Sequence, residues 1–167
     1  MHPADLIRSM HEHRLWVRLR LIEACSGLSQ EERLRSFPIG PGSLHATFVH
    51  LFAAEYAWMG ALEGTAAPRW FEPSDFDGLA PLLRAWSDLD AQWAGRLAAL
   101  DDAELARPIT RTTRAGQTFT TPASEVLIHV CTHAMYHAAQ CVNMLRHLGV
   151  KELPETNYIT FARQRGN

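Results

Sequence analysis

Apolar residues recur at steps of three and four along most of the chain, and that period predicts helices. Leu6, Met10, Leu15, Val17, Leu21 and Ile22 predict a first helix from Pro3, a residue suited to the first turn, to about Gly27. Ser29 with Glu31 and Glu32 reads as the capped start of a short extra turn, and "FPIGPG" at 37–42 breaks the chain. Ser43 is the expected N-cap of a second helix ending near Gly64, in which Glu55 and Glu63 are the only charged residues. A helix apolar on nearly every side belongs at the centre of a fold.

Residues 65–78, "TAAPRWFEPSDFDG", read as a loop, with Trp70, Phe71 and Phe76 expected to pack on the body. The third helix, Leu79 to Leu100, carries the clearest stripe: Leu82, Leu83, Trp86, Leu89, Trp93, Leu97 and Leu100. "DDAELARP" resembles another capped turn, and "ITRTTRAGQTFTT" a small hairpin around Gly116. Thr121 and Pro122 are expected to cap and open a fourth helix running to Gly149, about 40 Å long. In the tail, Tyr158, Ile159 and Phe161 are placed to seal one end. The expectation is one all-α domain over residues 1–167: a four-helix bundle with long crossover-type loops and a small hairpin before the last helix.

Charge narrows the partners. A net charge of −2 and a pI near 6.5 give no footprint for nucleic acid or an anionic membrane. The arginines from Arg8 to Arg35 alternate with glutamates and read as a solvated face. The start lacks an uninterrupted apolar core of a secretory signal, and no run is long enough to span a bilayer. Three cysteines, Cys25, Cys131 and Cys141, are odd in number and form no CxxC pair, which suits reduced thiols in a cytoplasmic protein.

The candidate chemistry lies in the fourth helix. Its core stripe runs Val126, Val130, His133, His137, Cys141, Met144 and Leu148, opposite Ser124, Asn143 and Arg146. A buried imidazole without partners costs on the order of a few kcal/mol. One such histidine reads as a satisfied structural residue, whereas a pair four apart, with Cβ atoms about 5–6 Å apart, can converge on one metal ion. His129 and Cys141 extend the row by one turn each way, but the row drifts about 40° per step, so only an adjacent pair shares an ion. Cys141 reads as an apolar filler. The same spacing serves HExxH metalloproteases, but Ala134 follows His133, so the glutamate base is absent. A third ligand must come from a facing helix. The second helix offers His45, near its start where solvent is closer, and His50, on a face with Ala46, Ala53, Ala54, Ala57 and Ala61. His2, His11, His13 and His147 read as surface or helix-end residues, and the five tryptophans as packing.

The segments "HRLWVRLRLIEACSGLSQEE", "SLHATFVHLFAAEYAWMGAL" and "LIHVCTHAMYHAAQCVNMLRHLGV" resemble the DinB-like family of metal-binding four-helix bundles nearly end to end. The family's last-helix motif, HVxxHxxxHRGQ, is matched here by His129, Val130, His133, His137 and Gln140; Ala138 and Ala139 stand where Arg and Gly are common. The resemblance implies His50, His133 and His137 as ligands of a divalent ion, zinc or nickel being expected, with His129 beside them. It also implies a metal-dependent transferase that activates a low-molecular-weight thiol and adds it to an electrophile, as characterised relatives do. Metal-dependent hydrolysis and a non-catalytic, stress-associated metal-binding module are the alternatives. The apolar surfaces of the first and third helices could support a homodimer.

Overall fold

The computed structural model describes residues 2–65, 69–113 and 115–166. Residues 66–68 of the predicted loop, Arg114 of the predicted hairpin turn, and the two terminal residues lie outside them. The fold is mainly helical with a single two-stranded sheet among these residues. In order, the elements are α1 (Pro3–Ser26), α2 (Gln30–Leu34), α3 (Leu44–Leu62), a 3-10 turn (Pro73–Asp75), α4 (Leu79–Ala98), α5 (Asp102–Ala106), β1 (Pro108–Thr112), β2 (Thr118–Pro122), α6 (Ala123–His147) and α7 (Tyr158–Arg165).

The local signals act as expected at most boundaries. Ser29 and Glu32 form a complete capping box at α2, and the Ser43 hydroxyl accepts from the Ala46 amide at the head of α3. At the other end of α6, Gly149 adopts φ +83° and the Val150 amide closes back on the Leu145 carbonyl at 3.1 Å. The start of α6 differs by one residue from expectation. Pairing of Pro108 with Pro122 carries β2 through Thr121, so Pro122 itself takes the cap position, without a side-chain cap.

Helix α6 packs along α1 and α3, and α3 also meets α4. The core these helices share includes Phe48, Phe52, Leu82, Trp86, Leu89, Trp93, Leu127, Met144 and Leu145. Phe71 and Phe76 lie 5.0 and 5.5 Å from Phe52, so the described part of this segment, 69–78, packs down through these two rings. No helix of the described residues is long and apolar enough to cross a membrane.

Helix α1 departs most from the sequence reading. Leu6 is exposed, and the buried face instead carries Ala4, Ile7, His11, Arg14, Arg18, Leu21 and Cys25. The arginines here are therefore not all solvated. Arg14 and Arg18 both pair with the buried Glu55 of α3, Arg18 also pairs with Asp90 of α4, and the Trp86 indole donates to Glu55 at 2.9 Å. Burial opposes the Glu55 carboxylate, but the two guanidinium charges and the hydrogen bonds from Arg14 and Trp86 outweigh it and hold its pKa below the usual value.

His11 and His13 are corrected too: both are buried. His11 donates from Nε2 to the Leu127 carbonyl at 3.1 Å and rests 5.2 Å from Trp93, while His13 donates to the Thr156 carbonyl at 2.9 Å. His13 thereby ties α1 to the tail, where Phe161 is buried and Tyr158 meets Ser9 at 2.8 Å. Ile159 faces outward instead of sealing the end, because the tail coils into α7 and only one of its faces can meet α1.

Candidate metal centre

Helices α3 and α6 carry the site. The alanines at 53, 54, 57 and 61 keep α3 slim, and α6 packs along it. His50 from α3 and His133 and His137 from α6 meet there. His133 Nε2 is 3.1 Å from His50 Nε2 and 3.1 Å from His137 Nε2, and one ligand nitrogen from each of the three lies within 4.8 Å of the others. Of the two candidates on α3, His50 faces this cluster. His45 is buried, not solvent-near, and donates to the Pro73 carbonyl at 3.1 Å.

The protonation pattern leaves lone pairs pointing inward. His137 Nδ1 donates to Gln140 Oε1 at 2.7 Å, so in the neutral ring its Nε2 is bare. His133 Nε2 can donate to only one of its two neighbours, so the cluster cannot satisfy itself fully. Burial lowers the pKa of all three. His133 is pushed to about 4, by burial first and then by its histidine neighbours; His50 is lowered by burial and by His137. Neutral imidazoles are metal ligands at pH 7.

Three neutral nitrogens fit a divalent ion. Tetrahedral bonds of about 2.0–2.1 Å place donors roughly 3.3 Å apart, close to the two spacings observed. His50 and His133 are half-buried and His137 is buried, a set that could hold an ion with one side open.

Around the triad sit two tryptophans that the sequence assigns to packing, and a tyrosine it does not single out. Trp70 lies 6.0 Å from His50 and Trp58 5.2 Å from His129; the exposed Tyr136 lies 5.1 Å from His137. His129 is exposed, its ring 5.7 Å from His133, outside the converging set. Its pKa is lowered by burial and by the charge of Arg111, whose guanidinium lies over Trp58 at 4.2 Å. Cys141 is fully buried, with its thiol pKa pushed up by burial, as suits a filler. Ala138 is buried in the core and Ala139 is exposed, so neither motif departure removes a triad residue.

One contact had no sequence signal. Gly40, in the 37–42 break, lies directly against the Gln140 side chain: a Cβ there would fall 2.0 Å from Oε1. Only the fold reveals a neighbour a hundred positions away.

The DinB family pattern matches residues 2–166. The chain belongs to the DinB family. No curated protein matches it closely enough to count as a relative. Membership agrees with the recognition drawn from the last-helix motif, and the clustered histidines are compatible with metal binding in this DinB protein.

Proposed function

We propose that this DinB protein is a metal-dependent transferase, a single-domain four-helix bundle formed by α1, α3, α4 and α6 with crossover-type connections, working in the cytoplasm. His50, His133 and His137 hold a divalent ion, zinc or nickel. The convergence of their three Nε2 atoms, without a fourth protein donor among the described residues, carries this reading. A structural zinc site is closed by four protein ligands, whereas three leave a place for a small molecule.

The ion, when bound, supplies Lewis acidity that lowers the pKa of a thiol placed on it. The chain's own residues do the rest. Gln140 keeps the proton on His137 Nδ1 and so aims Nε2 at the centre. His129, neutral and exposed beside the triad, takes the thiol proton. Trp70 and Tyr136 flank the opening and limit water. The sulfur then bonds to an electrophilic carbon, and the leaving group departs with its electron pair. The partners are thus a small thiol and an electrophile; a second copy of the chain could dock on α1, which exposes Leu6 and Leu19.

Elemental analysis of the purified protein beside His133→Ala tests the metal: the wild type is expected to hold about one ion and the variant far less. A panel of small thiols with a generic electrophile tests the chemistry, with turnover lost on chelation. Hydrolysis without a thiol would assign a hydrolase instead, and a metal-loaded but inert protein would assign a binding module.

A further inference from the structure

Strand alternation sets the position of Arg111. Ile109 is buried, so Arg111, two residues on, shares the face of β1 that meets α3 and α6. Its guanidinium lies 4.2 Å from the Trp58 ring centre; Trp58 in turn lies 5.2 Å from His129, and His129 5.7 Å from His133. A row of aromatic rings therefore leads from this cation to the triad.

Among the half-buried and buried arginines, Arg33 bonds to main-chain carbonyls and Arg20 and Arg111 each rest on an indole, and Arg111 is the one at the end of the row of rings that reaches the triad. Arg14, Arg18, Arg96 and Arg107 each have a carboxylate. Among the described residues Arg111 has no ion pair, and burial alone acts on its charge. Holding a cation partly out of water with no anion is unfavourable. A guanidinium resting on an indole keeps its N–H edge free for a planar acceptor, which a carboxylate engages through two parallel bonds.

We propose that Arg111 and Trp58 form an anion subsite that binds the carboxylate of the small molecule whose reacting end lies at His50, His133 and His137. This rests on the reading of the triad given above and adds the substrate class: a carboxylate-bearing thiol or electrophile.

Calorimetric titration of zinc-loaded protein with 6-mercaptohexanoate and 6-mercaptohexanol tests it. The acid is expected to bind about tenfold tighter than the alcohol, the increment of one charge-assisted pair. Arg111→Ala brings that ratio to about one with the zinc content unchanged, and Arg111→Lys leaves it between. Equal binding of acid and alcohol by the wild type, or a ratio unchanged in Arg111→Ala, overturns the proposal. Zinc content and mercaptohexanol binding report separately on the triad. Should no zinc be held, hexanoate titrated into the metal-free protein repeats the comparison: weaker binding by Arg111→Ala supports the subsite and equal binding overturns it.

Discussion

Gly40 and Gln140 are in contact across the fold: a Cβ on Gly40 would stand 2.0 Å from the same Oε1 that receives the His137 Nδ1 proton at 2.7 Å. The backbone of the 37–42 loop thus limits where Gln140 can lie, and Gln140 sets the tautomer of a triad histidine. Hydrogen-bond partners of metal ligands are typically worth 10–100-fold in affinity. Gly40→Ala is expected to weaken zinc binding by about tenfold, as Gln140→Ala does, and the double variant by no more than the larger single loss. Gly27→Ala, with open space at its Cβ and an ordinary φ of −82°, is the control. Competition with a chromophoric chelator measures all four.

Glu55 holds two buried cations, so its removal is expected to be costly. Breaking one partner out of a buried ion pair costs about 3–5 kcal/mol, because the remaining charge stays uncompensated. Glu55→Ala leaves Arg14 without its carboxylate and Arg18 with Asp90 alone. At about 2–4 °C per kcal/mol for a chain of this size, the melting temperature should fall by roughly 10 °C. A loss under about 2 °C in a thermal melt would mean that Arg14 finds another partner.

Much of this was legible because period and caps act locally. The stripes place α4 and α6, and the Ser43 cap with Gly64 places α3, within a few residues, while the i,i+4 spacing in α6 picks out two of the three histidines that cluster. Helix α1 misled because its buried face uses His11, Arg14 and Arg18, and a polar residue declares its partner only across the fold. A count of hydrophobic positions therefore turned the helix towards Leu6. The same holds at the site. His50 could be preferred over His45 from the alanine face alone, but the tie between Gly40 and Gln140, and the placement of Arg111 beside Trp58, are long-range contacts with no spacing rule.

Acid should destabilise the protein through the buried His11 and the half-buried His133. Burial, then the charge of Arg14, lowers His11 to about 3, and His133 falls to about 4, whereas the unfolded chain titrates near 6.5. Above pH 6.5 both states hold these rings neutral and nothing is lost. Below it the unfolded chain binds protons that the native state refuses, so stability declines from pH 6.5 towards 3. The loss through His11 is on the order of a few kcal/mol. In His11→Gln, which keeps a donor for the Leu127 carbonyl, urea midpoints between pH 7 and 4 should slope less steeply than in the wild type. Parallel slopes would show that His11 is not the group that titrates.

Metal binding should also be visible as stability. A ligand that binds only the native state adds about 2.7 kcal/mol at a free concentration one hundred times its dissociation constant. For 167 residues that is roughly 5–11 °C in melting temperature. The shift on adding zinc to metal-free protein should vanish in His133→Ala, which removes the nitrogen lying 3.1 Å from both other donors. It should persist in His45→Ala, because that ring is tied to the Pro73 carbonyl and takes no part in the cluster. The metal-free His133→Ala protein should melt no lower than the metal-free wild type by more than a few degrees, since the substitution removes a half-buried imidazole from a cluster that cannot satisfy all its own donors and acceptors. A zinc shift of equal size in His133→Ala would place the bound ion elsewhere on the protein.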